Sequence, residues 1–177
     1  DLCTTFDVNR QDVAEHGLMS SLENNQADHG CAILMEVATG EIKAIANLRR
    51  KAEDTYVEDF NYAIGDNTEP GSTFKLISVM CMLEDGLAQI TDSTSTEGGE
   101  KKYSDRVMRD SESGGYGVLS LQRVFEKSSN VAISKFIVKA YAKNPSRFTD
   151  HLIKLGLNKK LGLQISGEAK PLVKTPA

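Results

Sequence analysis

Ser72-Thr73-Phe74-Lys75 is the single S-x-x-K in the chain. A serine and a lysine three apart on a helix share a face, so the hydroxyl and the amine can meet. Burial would drive such a lysine toward its neutral form, and a neutral amine beside a hydroxyl can serve as general base for an activated nucleophile. The head of a helix adds backbone N–H groups and positive partial charge where an oxyanion would form. Alone the pattern is weak: with 15 Ser and 14 Lys, about one match arises by chance. The bland alternative is an N-cap serine followed by a solvated first-turn lysine.

Ser128-Ser129-Asn130 is the only S-x-N. Serine and asparagine favour turns and caps, so a helix–helix corner accounts for it without chemistry. The chemical alternative is a loop that presents one hydroxyl for proton relay and one amide to hold Lys75 and a substrate. Other chemistry finds little support. His16, His29 and His151 are scattered, with no metal-ligand spacing. Cys3, Cys31 and Cys81 form no C-x-x-C, and Cys31 and Cys81 sit in apolar runs that read as core. Neither a metal nor an organic cofactor is implied.

The elements that must position these residues follow from periodicity. Residues 7–24 predict an amphipathic helix, capped by Asp7, with Ala14, Leu18 and Leu22 on its apolar face. Residues 31–48 predict a β-hairpin turning at Ala38-Thr39-Gly40. Its first strand is apolar on both faces and reads as central. Residues 49–68 read as polar and irregular. Glu69-Pro70-Gly71 opens a helix over 72–85 that Gly86 closes. That helix is apolar almost all round, which predicts burial through the middle of a domain. Residues 91–117 read as a long surface excursion. Helices follow over 120–127 and after Asn130, with Val131, Ile133, Phe136, Ile137, Ala140 and Tyr141 on the apolar side of the latter. Asn144-Pro145 starts another, closed by Gly156.

The chain has 177 residues, 40% apolar and 26% charged, which suits one ordinary domain with a core. With 21 basic against 25 acidic residues it carries a charge of −4, so the basic face a nucleic-acid binder needs is not expected. No apolar run approaches the roughly 20 residues that span a bilayer. The first residue is Asp1, not Met, which leads us to expect a piece of a longer protein.

S-x-x-K followed downstream by S-x-N is the motif order of penicillin-binding proteins and serine β-lactamases. EPGSTFKLISVMCMLEDG and FEKSSNVAISKF closely resemble the first two active-site blocks of penicillin-binding protein transpeptidases. TTFDVNRQDVAE and HGCAILMEVATGEIKAIAN are similar to that domain's first helix and hairpin. The resemblance is greatest to class B enzymes of the septal, cell-division type, as in the Bacteroidetes group. It implies that Ser72 matches the acylated serine, Lys75 the general base, and Ser128 and Asn130 the second motif.

The fold it implies is α+β (α/β), a transpeptidase domain of the penicillin-binding protein/serine β-lactamase type. Residues 1–177 would form its N-terminal part, with helices around an incomplete antiparallel sheet. The family's third motif, K-[TS]-G, is not matched. Lys174-Thr175-Pro176 imitates its letters, but proline lacks the N–H for a strand ladder and cannot replace glycine where backbone approaches substrate. An isolated 1–177 piece is therefore expected to be impaired. The resemblance also implies a parent D,D-transpeptidase that acts on D-Ala-D-Ala stem peptides of peptidoglycan and is acylated by β-lactams. It implies a membrane anchor outside these residues, a place on the periplasmic face of the inner membrane, division-complex partners, and no nucleic acid. Two rivals are a class D-like serine β-lactamase, which resembles S-x-V and not S-x-N, and a penicillin-sensing or scaffolding domain without turnover.

Overall fold

The computed structural model describes residues 3–52 and 55–175, which fall into two units. The first comprises residues 1–67 and 160–170. Asp7 caps helix α1 (Val8–Asn25) by accepting a hydrogen bond from the Arg10 amide, and Gln26 ends it in a left-handed conformation. Three antiparallel strands follow, β1 (His29–Met35), β2 (Ile42–Ala52) and β3 (Thr55–Val57), in the order β1-β2-β3. Leu22 of α1 packs with Leu48 and Tyr56 from the sheet. The approach is close at Gly30, where an added Cβ would lie 3.0 Å from the Leu22 side chain. A short helix, α2 (Tyr62–Gly65), donates the Ala63 amide to the buried Asn47 side chain at 2.9 Å.

Two expectations for this unit change. Among the described residues β1 is an edge strand, with Ile33, Leu34 and Met35 exposed at 49, 45 and 54%. Its continuous apolar run says that both faces can be covered, but not what covers them, and here only β2 pairs with it. Cys31 is correspondingly exposed and not in the core. Residues 49–68 are more regular than expected: β2 continues to Ala52 and turns back into β3. Basic residues occupy this hairpin, and Arg50 reaches the Tyr56 hydroxyl, so no apolar alternation announces the strands.

The second unit comprises residues 68–159 and 171–177. Its helices are α3 (Phe74–Glu84), α4 (Leu121–Lys127), α5 (Asn130–Tyr141) and α6 (Ser146–Lys154). Cys81 and Met82 of α3 meet Leu121 and Val124 of α4, Ala132, Ile133 and Phe136 of α5, and Leu152 of α6. Burying each large apolar side chain contributes roughly 1.5–3 kcal/mol, so this cluster holds the four helices together. Helix α3 is not buried all round: Leu76 is 51% exposed, while Ser78, Cys81 and Met82 face the core. An all-apolar sequence cannot reveal that α4, α5 and α6 cover only one side. The expected surface excursion at 91–117 carries strands instead. Strand β4 (Ser93–Ser95) pairs with β7 (Val118–Ser120), and β5 (Glu100–Tyr103) pairs with β6 (Arg106–Arg109). These strands are three or four residues long, too short for alternation to stand out.

Candidate active site

Pro70 and Gly71 set the entry to α3. Gly71 takes φ +60°, a left-handed value that glycine adopts without steric cost. The chain then makes a single 3-10 turn, Gly71–Thr73, that leads into the helix. Ser72 therefore sits in this exposed turn and Lys75 is the second residue of α3. The Ser72 hydroxyl accepts a hydrogen bond from Ser128 Oγ at 3.1 Å. Lys75 is half-buried and donates through Nζ to the Ser128 carbonyl at 2.5 Å and to Ser128 Oγ at 2.9 Å. Ser72, Ser128 and Lys75 thus form one hydrogen-bonded chain. This is neither a solvated lysine nor a serine spent on capping.

The corner that carries Ser128 explains how a sequence separation of 53 is bridged. Helix α4 ends at Lys127, and Ser128 caps it at φ 54°, ψ 36°. A left-handed residue with a Cβ costs roughly 1–2 kcal/mol. The reversal turns both the carbonyl and the hydroxyl of Ser128 toward Lys75. Ser129 then caps α5, accepting from the Ala132 amide at 3.0 Å, and is 1% exposed. Asn130, the first residue of α5, donates its side-chain amide to the Arg109 carbonyl at 2.8 Å. The expected bond from that amide to Lys75 is not formed. Asn130 and Lys75 instead line the same cavity of about 310 Å³, together with Phe74, Ser78, Met108 and Phe148.

Burial pushes the Lys75 amine below its ordinary lysine value, against an opposing pull from the Asp110 carboxylate. Depression is the direction that general-base chemistry requires. Asp110 itself escaped the motif reading. It follows β6, accepts from Ser129 Oγ at 3.0 Å at both carboxylate oxygens, and takes the Val131 amide at 2.9 Å. The only trace of it in the sequence is an acidic residue 19 positions ahead of Ser129, which has no local signature. Lys174 and Thr175 lie elsewhere, lining a separate cavity with Tyr141, Ala142 and Pro145. Pro176 falls outside the described residues. Among the described residues no three His, Cys, Asp or Glu side chains converge as a metal site.

Residues 30–176 match the family described as penicillin binding protein transpeptidase domain. The chain belongs to that family. The chain is 32% identical over 175 residues to the peptidoglycan D,D-transpeptidase FtsI of Buchnera aphidicola, covering 96% of this chain and 30% of that protein. It is equally 32% identical over 182 residues to FtsI of Escherichia coli, covering 97% of this chain and 29% of that one. It therefore spans less than a third of the length of these relatives. FtsI relatives agree with the septal class B subtype that the motif blocks suggested. The fold agrees as well. A transpeptidase-domain structure of penicillin-binding protein 3 from Burkholderia pseudomallei superposes with TM-score 0.77 at 23% identity, covering 94% of this chain and 46% of that one. A peptidoglycan glycosyltransferase structure from Burkholderia ambifaria gives TM-score 0.81 at 24% identity, covering 97% and 50%.

Proposed function

We propose that the full-length protein is a serine D,D-transpeptidase that cross-links peptidoglycan, with Ser72 as nucleophile and Lys75 as general base. The observation that carries this reading is the hydrogen-bonded chain from Ser72 through Ser128 to Lys75, made by residues that match the family's first two motifs. Neutral Lys75 takes the Ser128 hydroxyl proton as Ser128 takes that of Ser72. Ser72 Oγ then attacks the penultimate D-Ala carbonyl of a stem peptide. The tetrahedral adduct collapses, the C–N bond to the terminal D-Ala breaks, and the leaving amine regains a proton from Lys75 through Ser128. An ester on Ser72 remains. An amine from a neighbouring stem attacks it, loses its proton along the same path, and returns Ser72 as the free hydroxyl. A β-lactam acylates Ser72 by the first half of this sequence, and its opened ring stays attached. Asn130, which lines the same cavity as Lys75, is assigned to substrate amide contacts.

Among the described residues no helix is long and apolar enough to cross a membrane. The anchor, the periplasmic location and the division-complex partners are proposed on the likeness to FtsI proteins. Fluorescent penicillin added to the full-length protein should label it covalently, with peptide mapping to Ser72 and loss of label in Ser72→Ala. Mapping to another serine would contradict the assignment. Steady release of hydrolysed drug would favour a β-lactamase.

A further inference from the structure

Asp110 stands outside both motifs, yet its carboxylate bonds the residues on either side of Asn130. Its carboxylate takes the Ser129 hydroxyl and the Val131 amide, while the carbonyl of the preceding Arg109 takes the Asn130 side chain. Two consecutive residues at the end of β6 therefore hold three consecutive residues of the Ser128 corner. Bonds to an ionised acceptor are about twice as strong as neutral ones. The clamp is itself fixed: the Asp110 amide donates to the Gly99 carbonyl at 2.9 Å, and Gly99 lies so close to Gly115 that a Cβ on either would strike the other's backbone. Ser128 needs such a hold, because its left-handed backbone is strained.

We infer that Asp110 is a positioning residue: its hydrogen bonds to Ser129 and Val131 fix the corner that presents Ser128 to Lys75. This rests on the proposed role of Lys75. Several other charged groups on neighbouring elements are paired with one another. On α4, Arg123 pairs with Glu126, and Lys127 lies in the last turn. On α5, Lys135 is held by Glu97, and Lys139 lies in the last turn. On α6, Arg147 and His151 meet Asp85 and Glu84 at the far end of α3. Arg109 pairs with Glu100. Among the described residues Asp110 is the one whose charge acts on the lysine.

Asp110→Asn separates this hold from the charge of Asp110, which opposes the lowering of Lys75. Its amide oxygen can still accept from Ser129 and Val131, and its nitrogen can donate back to the Ser129 hydroxyl, but the charge is gone. Asp110→Ala removes both. The experiment is the rate of Ser72 labelling by fluorescent penicillin against pH, in the full-length protein and both variants. Asp110→Asn should move the ascending limb toward lower pH, so that below the wild-type limb it labels faster than wild type. Asp110→Ala should be slower by on the order of 10²-fold, the cost of misplacing a catalytic group by about 1 Å. A loss for Asp110→Asn as large as that of Asp110→Ala, or wild-type labelling by Asp110→Ala, would overturn the inference. Failure of the wild-type protein to label at Ser72 would overturn it together with the proposed function, and is recognisable because no variant is needed to see it.

Discussion

Helix α3 carries charged groups at both ends, and the two ends treat them differently. At the C-terminal end the Asp85 carboxylate receives the Tyr141 hydroxyl at 2.8 Å, an Arg147 contact at 3.2 Å and His151 at 3.4 Å, while Glu84 meets the other imidazole nitrogen at 2.9 Å. Burial pushes the Asp85 carboxyl up, but hydrogen bonds from Tyr141, His151 and Arg147 outweigh it and hold it below the ordinary range. At the N-terminal end Lys75 meets two neutral acceptors, both on Ser128, and its one opposing carboxylate acts without touching it. The first end compensates its charges and ties α3 to α5 and α6. The second leaves a half-buried ammonium under-compensated, an environment that favours loss of its proton. One helix thus separates a compensated ion cluster from the end proposed to be reactive.

The largest effect should come from changing the reactive end. Lys75→Arg keeps the charge but cannot deprotonate. It should slow penicillin labelling as severely as Lys75→Ala, by about 10²–10⁴-fold, the usual contribution of a general base. Near wild-type labelling in the arginine variant would show that the end works by charge alone and would erase the contrast.

Ser128→Ala should be next, losing about 10²-fold in labelling rate because the link between Ser72 and Lys75 is cut. Ser128→Gly should label as poorly but resist urea better than the alanine variant by roughly 1 kcal/mol, since glycine adopts the left-handed corner freely. If both variants labelled like wild type, the Ser128 hydroxyl would be a spectator.

The smallest effect on chemistry belongs to the structural end. Tyr141→Phe should cost about 1.5–3 kcal/mol in urea unfolding, the range for a hydrogen bond to a charged group, with the labelling rate of folded protein unchanged. Asp85 has a depressed folded-state value, so its stabilisation is fully present above the ordinary carboxylate range and is lost as pH falls through the folded value. The stability deficit of Tyr141→Phe should therefore be largest near neutrality and shrink on acidification. A deficit that grows toward acid pH would contradict this assignment of the cluster.

The contrast also explains what the sequence could disclose. The placement of Ser72 with Lys75, and of Ser128 with Asn130, at helix starts was legible because each pair lies within a few residues, where spacing fixes geometry. The helix caps were legible for the same reason: Asp7, Gly86 and Gly156 act within one turn. What crosses the chain was not legible. Nothing near Asp110 announces that it reaches Ser129, and nothing near Asn130 announces that its amide goes to Arg109 and not to Lys75. Burial failed likewise where it depends on partners: Leu76 and the strand 29–35 are apolar enough to be covered, yet the described residues leave them open. The left-handed turn at Ser128 was hidden because serine, unlike glycine, gives no sign of a positive φ.

The titration of Lys75 in the full-length protein, followed by NMR of a carbon-13-labelled side chain assigned through Lys75→Arg, bears most directly on the reactive end. The midpoint should lie below the ordinary lysine value of about 10.4 and coincide with the ascending limb of Ser72 acylation. A midpoint at or above the ordinary value would mean that Lys75 is a fully compensated cation, and that the two ends of α3 do not differ in the way proposed.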